Sequence, residues 1–268
     1  MTEPLLHVDD VTVSYRQPGR TRLTAVNGVS LTLDRGQVLG LVGESGCGKS
    51  TLARSICGLE PLQSGQIVFN GQPVGRLGLR RRPKALIGIQ MVFQNPYASL
   101  NPRRAVGSQI EDGLRASTHR DRWTVAGLLD EVELDRGDAA RYPHEFSGGQ
   151  RQRIAIARAI AAGPDLLIGD EAIASLDASL QAKIARLMCK LALETDAALL
   201  FISHDLAVVR VIADEVAVMS RGVVVERGPV EQVWNEPKNP YTRKLLAAIP
   251  AVDGLGRLPG ASPIAADG

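Results

Sequence analysis

Cysteine is scarce in this chain, with three residues among 268, at spacings that match neither a disulfide framework nor a zinc site. We therefore expect a protein of a reducing compartment. No apolar run approaches the roughly 18 residues of a membrane-spanning helix, and the first residues lack the basic-then-apolar order of a signal peptide. These absences predict a soluble, cytoplasmic protein that reaches a membrane only through a partner.

Aromatic residues are also few, at 4% of the chain, and neither sign of charge is in clear excess, since 31 Lys and Arg residues face 29 Asp and Glu residues. The densest basic cluster, 80–84, has no interleaved aromatic residue, which favours a solvated loop over a nucleic-acid surface. Because 44% of the residues are hydrophobic, the chain can bury a sizeable core in one large domain or two small ones.

One stretch carries a specific chemical signal: residues 43–51 read Gly-Glu-Ser-Gly-Cys-Gly-Lys-Ser-Thr. An apolar, strand-like run at 38–42 precedes it and a helix-like segment follows, which is the context that a phosphate loop needs. The three glycines permit a tight turn whose N–H groups point at an anion. Lys49 can reach the β- and γ-phosphates, and Ser50 can bind Mg²⁺. The predicted phosphate loop consists of Gly43, Glu44, Ser45, Gly46, Cys47, Gly48, Lys49, Ser50 and Thr51.

The remaining pattern predicts a mostly parallel sheet flanked by helices, because apolar runs alternate with helical stretches. Segments 6–15 and 25–33 alternate polar and apolar residues and predict an antiparallel layer ahead of the loop strand. Tyr15 ends the first of these segments, and its ring is equally compatible with an adenine-stacking platform and with an ordinary strand tyrosine. The predicted strands after the loop are 66–69, which leads to a hairpin-type turn at Asn70 and Gly71, then 86–93, 166–170 and 198–202, and a terminal hairpin at 216–219 and 223–226.

Between two of these strands lies a mostly helical insertion at 106–141, with Gly113 and Gly137 expected as turn residues between its segments. A second Gly-rich turn follows at 147–150. Residues 151–162 fit a helix and Ser147 is a natural N-cap for it, so this turn could also hold an anion.

The start of the phosphate loop and several polar residues follow the predicted strands at their carboxyl ends, where sites in parallel sheets lie. Gly43, Gln94, the pair Asp170 and Glu171, and His204 all occupy such positions. A strand-end carboxylate is a candidate general base. A solvated carboxylate and a surface histidine are the alternatives, but the shared location favours a catalytic role.

Taken in order, these motifs resemble the ATP-binding subunit of ABC transporters over about the first 250 residues. The phosphate loop alone leaves kinases, GTPases and helicases open. The signature Ser-Gly-Gly-Gln at 147–150 excludes those classes, although Phe146 precedes it where the family usually has Leu. The resemblance implies an α/β P-loop NTPase with a RecA-like, mostly parallel sheet, an antiparallel β layer and a helical ABC subdomain. The expected division is an ATP-binding core at 1–93 and 163–235, a helical subdomain at 94–162, and a C-terminal extension with a flexible tail at 236–268.

The same resemblance implies ATP and Mg²⁺ as ligands, and a role for each strand-end residue in hydrolysis. Lys49 would hold phosphate, Glu171 would act as general base on the attacking water, and His204 would contact the γ-phosphate. Gln94 would sense the γ-phosphate and couple it to transport. The metal ligands would be Ser50, Gln94 and Asp170.

A head-to-tail dimer is implied as well, in which the signature of one subunit caps the ATP held by the other. The nucleotide would contact Tyr15, through its ring on adenine, Ser147, Gly148, Gly149 and Gln150 of the signature, and Asp177 in the segment that resembles the D-loop. The implied partners are a membrane permease, an identical or homologous second ATP-binding subunit and, indirectly, an extracytoplasmic solute-binding protein. No nucleic acid is expected, and the location would be the cytoplasmic face of the cell membrane.

Residues 94–103 and 239–246 resemble the peptide and nickel importer branch, so we expect a subunit that powers import of peptides or nickel. The alternatives are a soluble ABC ATPase of translation or DNA repair, which would have tandem units or long coiled coils, and an exporter subunit. Residues 172–175, Ala-Ile-Ala-Ser, replace the more usual Pro-Thr-Ser-Ala, and Gly169 is smaller than the family's usual residue. Loss of the proline bears on D-loop rigidity, whereas the phosphate-contacting groups are intact, so an active site is expected.

Overall fold

The computed structural model of this chain describes residues 3–16, 22–78, 83–95, 99–117, 122–173 and 178–248. Its strands are β1 (Leu6–Tyr15), β2 (Leu23–Leu33), β3 (Val38–Val42), β4 (Ser64–Phe69), β5 (Gln72–Pro73), β6 (Ile89–Phe93), β7 (Leu166–Asp170), β8 (Ala198–Ser203), β9 (Glu215–Ser220) and β10 (Val223–Pro229). Its α-helices are α1 (Lys49–Ile56), α2 (Lys84–Ile87), α3 (Val106–Ala116), α4 (Val125–Glu131), α5 (Gly148–Ala161), α6 (Ala178–Glu194), α7 (Leu206–Ile212), α8 (Val230–Asn235) and α9 (Pro240–Ala247).

The central sheet has the strand order β10-β9-β3-β8-β7-β6, and every pair in it is parallel except the edge pair β10 and β9. All residues of β3, β7 and β8 are buried, which explains why these strands are continuous apolar runs rather than alternating ones. Val42 pairs with Ser203, Ile202 with Asp170, and Asp170 with Phe93, so four parallel strands end at one edge. That edge carries the candidate site.

A second, antiparallel sheet has the order β2-β1-β4-β5 and forms the predicted layer ahead of the loop strand. Its β4–β5 hairpin turns at Asn70 and Gly71, with φ angles of 49° and 68°. Two positive φ values in a two-residue connection are typical of a type I′ turn, which matches the right-handed twist of the strands. The fold class expected from the sequence is confirmed by these two sheets.

Two hydrophobic cores lie on opposite faces of the central sheet, because successive side chains of a strand point to opposite sides. Leu39 and Leu41 of β3 pack with residues of β1, β2, β4 and α1. Val38 and Val42 of the same strand pack into a core that includes residues of α3, α4, α5, α6 and α7. The molecule is therefore layered, with the phosphate-loop helix α1 between the two sheets and helices α3 to α7 on the far face.

Three details differ from the sequence-based expectations. The strand predicted for 86–93 begins only at Ile89, because 84–87 form α2. Gly113 lies inside α3 rather than between segments, and a Cβ there would come within 2.9 Å of the Ala161 Cβ, so glycine lets α3 approach α5 closely. Helix α7, which directly follows β8, was not predicted. Asp177 and the tail after residue 248 lie outside the described residues.

Among the residues described, none of the helices combines the length and apolar character needed to cross a membrane.

Candidate nucleotide site

The phosphate loop connects β3 to α1 and is pressed against the backbone behind it. Gly43 has φ 151° and Gly48 has φ 109°, values that side-chain-bearing residues rarely adopt. A Cβ on Gly43 would lie 2.1 Å from the Met219 carbonyl oxygen, and one on Gly48 would lie 2.1 Å from the Ala25 carbonyl oxygen. The loop therefore needs glycine at both positions, for backbone angle and for space.

Helix α1 begins at Lys49, directly after the loop. The first N–H groups of a helix have no partner within it, and they carry the positive end of the helix dipole. The loop and the start of α1 thus form the arrangement that binds phosphate in nucleotide-binding proteins. Glu44, Ser45 and Gly46 are exposed, so the outer side of the loop is open to a ligand.

The ammonium group of Lys49 is held inside this loop. Its side chain is only 3% exposed, and Nζ donates to the carbonyl oxygens of Gly43 at 2.8 Å and Glu44 at 3.0 Å. Burial raises the pKa of the neighbouring Cys47 thiol, against the opposing charge of Lys49. Cys47 is therefore a neutral thiol that fills space beneath the loop, and Lys49 carries the positive charge.

Ser50 and Asp170 offer oxygen atoms suited to a divalent cation. The Ser50 hydroxyl donates to Asp170 Oδ1 at 2.7 Å, and Asp170 is buried at the last position of β7. Burial raises the pKa of Asp170, while the hydrogen bond from Ser50 and the charges of Arg54 and Lys49 counter this. Hydroxyl and carboxylate oxygens are the ligand types that Mg²⁺ takes beside nucleotide phosphates, so the donor set fits this metal.

Glu171 follows Asp170 in a left-handed backbone conformation, with φ 47°. Its N–H donates to the Ile202 carbonyl oxygen at 3.1 Å, and its Oε1 lies 3.9 Å from Lys49 Nζ. Non-glycine residues in this conformation are strained and concentrate at functional sites. After Glu171 the chain turns back inward, because Ala172 and Ile173 are each 1% exposed.

Close packing explains why a glycine, Gly169, precedes the two carboxylates. A Cβ on Gly169 would lie 2.9 Å from Met188 Cε and 3.4 Å from Phe201 Cδ2. The small residue therefore lets α6 lie close to β7 and does not alter the groups that face the site.

Gln94 and His204 are exposed at the ends of β6 and β8, on the same edge as the phosphate loop. Neighbouring strands are spaced about 4.8 Å apart, so the four strand ends span roughly 14 Å. The Gln152 side chain donates to the Phe93 carbonyl oxygen at 3.4 Å, which links the Gln94 segment to α5. Asp205 caps α7 by accepting the Ala207 N–H at 2.8 Å, so its carboxylate serves the helix beside His204.

Tyr15 lies beside the start of α1, where its hydroxyl donates to Thr51 Oγ1 at 3.3 Å. The structure therefore brings this ring to the phosphate-loop side of the antiparallel sheet. Its stacking on adenine stays a prediction.

The signature turn opens α5 as predicted, although the helix already begins at Gly148. The Ser147 hydroxyl accepts the Gln150 N–H at 3.3 Å, and Gln150 Oε1 accepts the Ser147 N–H at 2.9 Å, which together form a capping box. Phe146 is buried beneath the Arg141 guanidinium, whose carbon lies 4.4 Å from the ring centroid. This contact gives the aromatic residue a structural role before the signature.

Within one chain, the signature turn borders a shallow hollow of its own. Ser147, Gly149 and Gln150 line it together with Glu133, Arg153 and Leu180, and no phosphate-loop residue is among the lining residues described. The exposed Ser147 and Gly148 are thus open to another molecule.

Sequence reasoning missed one contact to the phosphate loop. Tyr241, in helix α9, accepts the Glu44 N–H through its hydroxyl at 3.1 Å. The sequence offers only the helical pattern around Tyr241, and nothing in that pattern points to a residue 197 positions away.

Comparison with known proteins decides the family. The profile described as ABC transporter matches residues 26–174, which is more than half of the chain. This chain belongs to the ABC transporter family. It is an ATP hydrolase of the ABC type, and a second profile, described as the C-terminal region of oligopeptide/dipeptide transporters, matches residues 225–267.

Several curated relatives of this ABC protein are similar over most of its length. The oligopeptide transport ATP-binding protein OppF of Bacillus subtilis is 46% identical over 94% of this chain and 85% of its own length. The di/tripeptide transport ATP-binding protein DppF of Pseudomonas aeruginosa is 44% identical, over 93% and 80%. The glutathione import protein GsiA of Pectobacterium atrosepticum is 46% identical, over 94% of this chain and 42% of GsiA.

Solved ABC cassettes have the same fold. The cassette MJ0796, solved as a dimer in a post-hydrolysis state with ADP and Pi, superposes with a TM-score of 0.71 at 26% identity, covering 84% of this chain and 98% of that one. CbiO1 of Clostridium perfringens, described as part of the transporter complex cbiONQ, gives a TM-score of 0.71 at 26% identity, covering 88% and 92%.

Proposed function

We propose that this ABC ATPase powers the import of short peptides through a membrane permease, at the cytoplasmic face of the cell membrane. The observation that carries the proposal is the match of residues 225–267 to the C-terminal region of oligopeptide/dipeptide transporters. The names of OppF, DppF and GsiA agree with it, because oligopeptides, di/tripeptides and glutathione are all peptides. Nickel, expected from the sequence as an alternative cargo, stays a prediction that none of these names supports.

The proposed hydrolysis uses groups at the strand ends, where Lys49 and Glu171 lie 3.9 Å apart. The phosphate loop binds the nucleotide phosphates, and Lys49 keeps its bond to the Gly43 carbonyl oxygen while its other N–H donors point to the β- and γ-oxygens. Glu171 accepts the proton of a water molecule that attacks the γ-phosphorus, and the bond to the ADP oxygen breaks. His204 contacts the γ-phosphate, and Gln94 detects whether it is present.

Mg²⁺, when bound, would neutralise negative charge on the β- and γ-phosphates. Ser50 and Asp170 would hold it, with Gln94 as the third residue from the neighbouring strand end. Because Ser50 already contacts Asp170 at 2.7 Å, the two groups need little rearrangement to share a cation.

We further propose that two such chains close head to tail around two ATP molecules. The Ser147–Gln150 turn, in which Ser147 and Gly148 are exposed, would cap the ATP on the partner with the start of α5. Each γ-phosphate would then face two helix N-termini, each with about half an elementary charge. Asp177 would lie at the same interface, and Tyr15 would hold the adenine. Loss of the γ-phosphate would remove the shared anion and open the dimer, which would move the permease.

In this scheme each part of the proposed division of the chain has its own role. The core at 1–93 and 163–235 holds the nucleotide, the helical subdomain at 94–162 carries the signature, and the extension at 236–268 follows the core. The second subunit would be identical or homologous, and a solute-binding protein would deliver cargo to the permease.

The decisive experiment measures uptake in a strain that lacks this chain. We expect the wild-type chain to restore uptake of a labelled dipeptide or oligopeptide, and Glu171→Gln to fail at the same expression level. Uptake of labelled nickel is measured in parallel. Co-purification with ribosomes or DNA and without a permease, or restored nickel uptake with no peptide uptake, would overturn the peptide-import proposal.

A further inference from the structure

Helix α9 contacts the phosphate loop at one peptide plane. The peptide that joins Gly43 to Glu44 has two polar ends, and both are bound. Its carbonyl oxygen accepts from Lys49 Nζ at 2.8 Å, and its N–H donates to the Tyr241 hydroxyl at 3.1 Å. This peptide is thus held between an ammonium group from inside the loop and a hydroxyl from the C-terminal helix.

Tyr241 is itself held in place by the start of α9. Asn239 is the N-cap, its Oδ1 accepts the Tyr241 N–H at 2.8 Å, and its Nδ2 donates to the Val225 carbonyl oxygen at 3.2 Å. The ring of Tyr241 packs against the large core beneath the helices. The hydroxyl therefore has a defined position and is not a mobile surface group.

Glu226 of β10 anchors the same helix start. Its two carboxylate oxygens accept the N–H groups of Lys238 at 2.7 Å and Asn239 at 3.0 Å. Thr242, one residue beyond Tyr241, is fully buried. A continuous set of contacts thus runs from the edge strand β10 through the cap of α9 to the phosphate loop.

We propose that Tyr241 is a positioning residue of the nucleotide site: its hydroxyl orients the Gly43–Glu44 peptide, and through it Lys49, so that nucleotide affinity depends on the docking of α9. This inference rests on the proposed role of the phosphate loop. Tyr241 contacts the Glu44 amide, at the opposite end of the loop from the start of α1, so its hydroxyl acts on the part of the loop whose carbonyl oxygens hold the lysine.

The expected effect of the Tyr241 hydroxyl on nucleotide affinity is modest. One hydrogen bond contributes about 0.5–1.5 kcal/mol net, so its loss should change the nucleotide dissociation constant by roughly two- to twelvefold. Glu44 is exposed, and water can replace the hydroxyl, so the change should fall inside this range and binding should not be abolished.

The test uses the full chain with Tyr241→Phe, which removes only the hydroxyl. Arg243→Ala is the matched control, because Arg243 lies in the same helix and donates to the Lys238 carbonyl oxygen, away from the loop. A fluorescent ATP analogue reports the dissociation constant, and residue-resolved hydrogen exchange without nucleotide reports the Glu44 amide. We expect weaker binding and faster exchange at Glu44 for Tyr241→Phe, and neither change for Arg243→Ala.

Three outcomes would count against the proposal. If Tyr241→Phe lowers thermal stability but alters neither the dissociation constant nor Glu44 exchange, Tyr241 is only a structural anchor and the inference fails alone. If Arg243→Ala weakens nucleotide binding equally, any disturbance of α9 lowers the affinity, and the Tyr241 hydroxyl has no specific role. If the wild-type chain binds no nucleotide, the proposed role of the phosphate loop fails first. Should Tyr241→Phe not fold, Asn239→Ala, which removes the cap of α9, must show the same two changes or the proposal falls.

Discussion

The ammonium group of Lys49 and the carboxylate of Glu171 approach to 3.9 Å, although they belong to a loop after β3 and to the end of β7. Strand β8 lies between those two strands, so the approach depends on the strand order β3-β8-β7 and on the left-handed backbone of Glu171. A γ-phosphate that drew Lys49 outward would come to lie near the carboxylate proposed as general base.

Glu171→Gln should nearly abolish ATP turnover and preserve ATP binding. The amide keeps the shape of the side chain but cannot accept a proton, and a general base contributes about 10²- to 10⁴-fold to a rate. Phosphate release gives the rate, and light scattering in the presence of ATP should detect an accumulated dimer. Glu194→Gln, at the end of α6, is the control with unchanged turnover. Retained turnover in Glu171→Gln would remove this residue from the role of base.

Ser147→Arg should block hydrolysis without blocking ATP binding to an isolated chain. The substitution puts a long cation on the exposed signature turn, which the proposed dimer needs, and leaves the phosphate loop untouched. Loss of the capping side chain itself costs the helix about 1 kcal/mol. Ser147→Thr keeps a capping hydroxyl and serves as the control. If Ser147→Arg also prevents binding by single chains, the signature does not act across a dimer.

Gly48→Ala should destabilise the fold by about 3 kcal/mol, from backbone strain at φ 109° and from a Cβ placed against the Ala25 carbonyl oxygen. Gly71→Ala is the matched control, because its φ is 68° but a Cβ there meets nothing within 4 Å, so it should cost only about 1 kcal/mol. Denaturant unfolding measures both. Equal losses in the two variants would mean that the close approach to Ala25 is not energetically significant.

Glu226→Gln should be less stable than wild type at pH 7, and the difference should shrink as the pH falls. Burial raises the pKa of this carboxylate, but hydrogen bonds from the start of α9, including the N–H groups of Lys238 and Asn239, outweigh it and lower the pKa overall. A lowered folded-state pKa contributes stability above the unfolded-state value of about 4.3, and this is lost as the pH drops through the folded-state pKa.

Thermal unfolding at pH 7 and near pH 3.5 measures that difference, and Glu236→Gln, on the exposed end of α8, is the control. If the stability difference between wild type and Glu226→Gln is the same at both pH values, the carboxylate charge does not hold α9.

Local features of the chain were predictable because neighbouring residues determine them. The phosphate loop, the capping box at Ser147 and the hairpin at Asn70 and Gly71 each depend on residues within a few positions of one another. The buried strands were recognisable because parallel strands covered on both faces must be apolar throughout. Gly113 was misjudged because glycine in a helix and glycine in a turn look alike in sequence, and only the close approach of α5 explains it.

By itself, the sequence determined the phosphate-binding loop, the polar strand ends and the signature cap, because each of them depends only on residues close together in the chain. Only the tertiary structure decided which distant groups meet: Ser50 with Asp170 across 120 positions, and the Glu44 amide with Tyr241 across 197. The physical reason is that a hydrogen bond requires two atoms within about 3 Å, and the order of strands and the docking of helices, rather than local propensity, bring such atoms together.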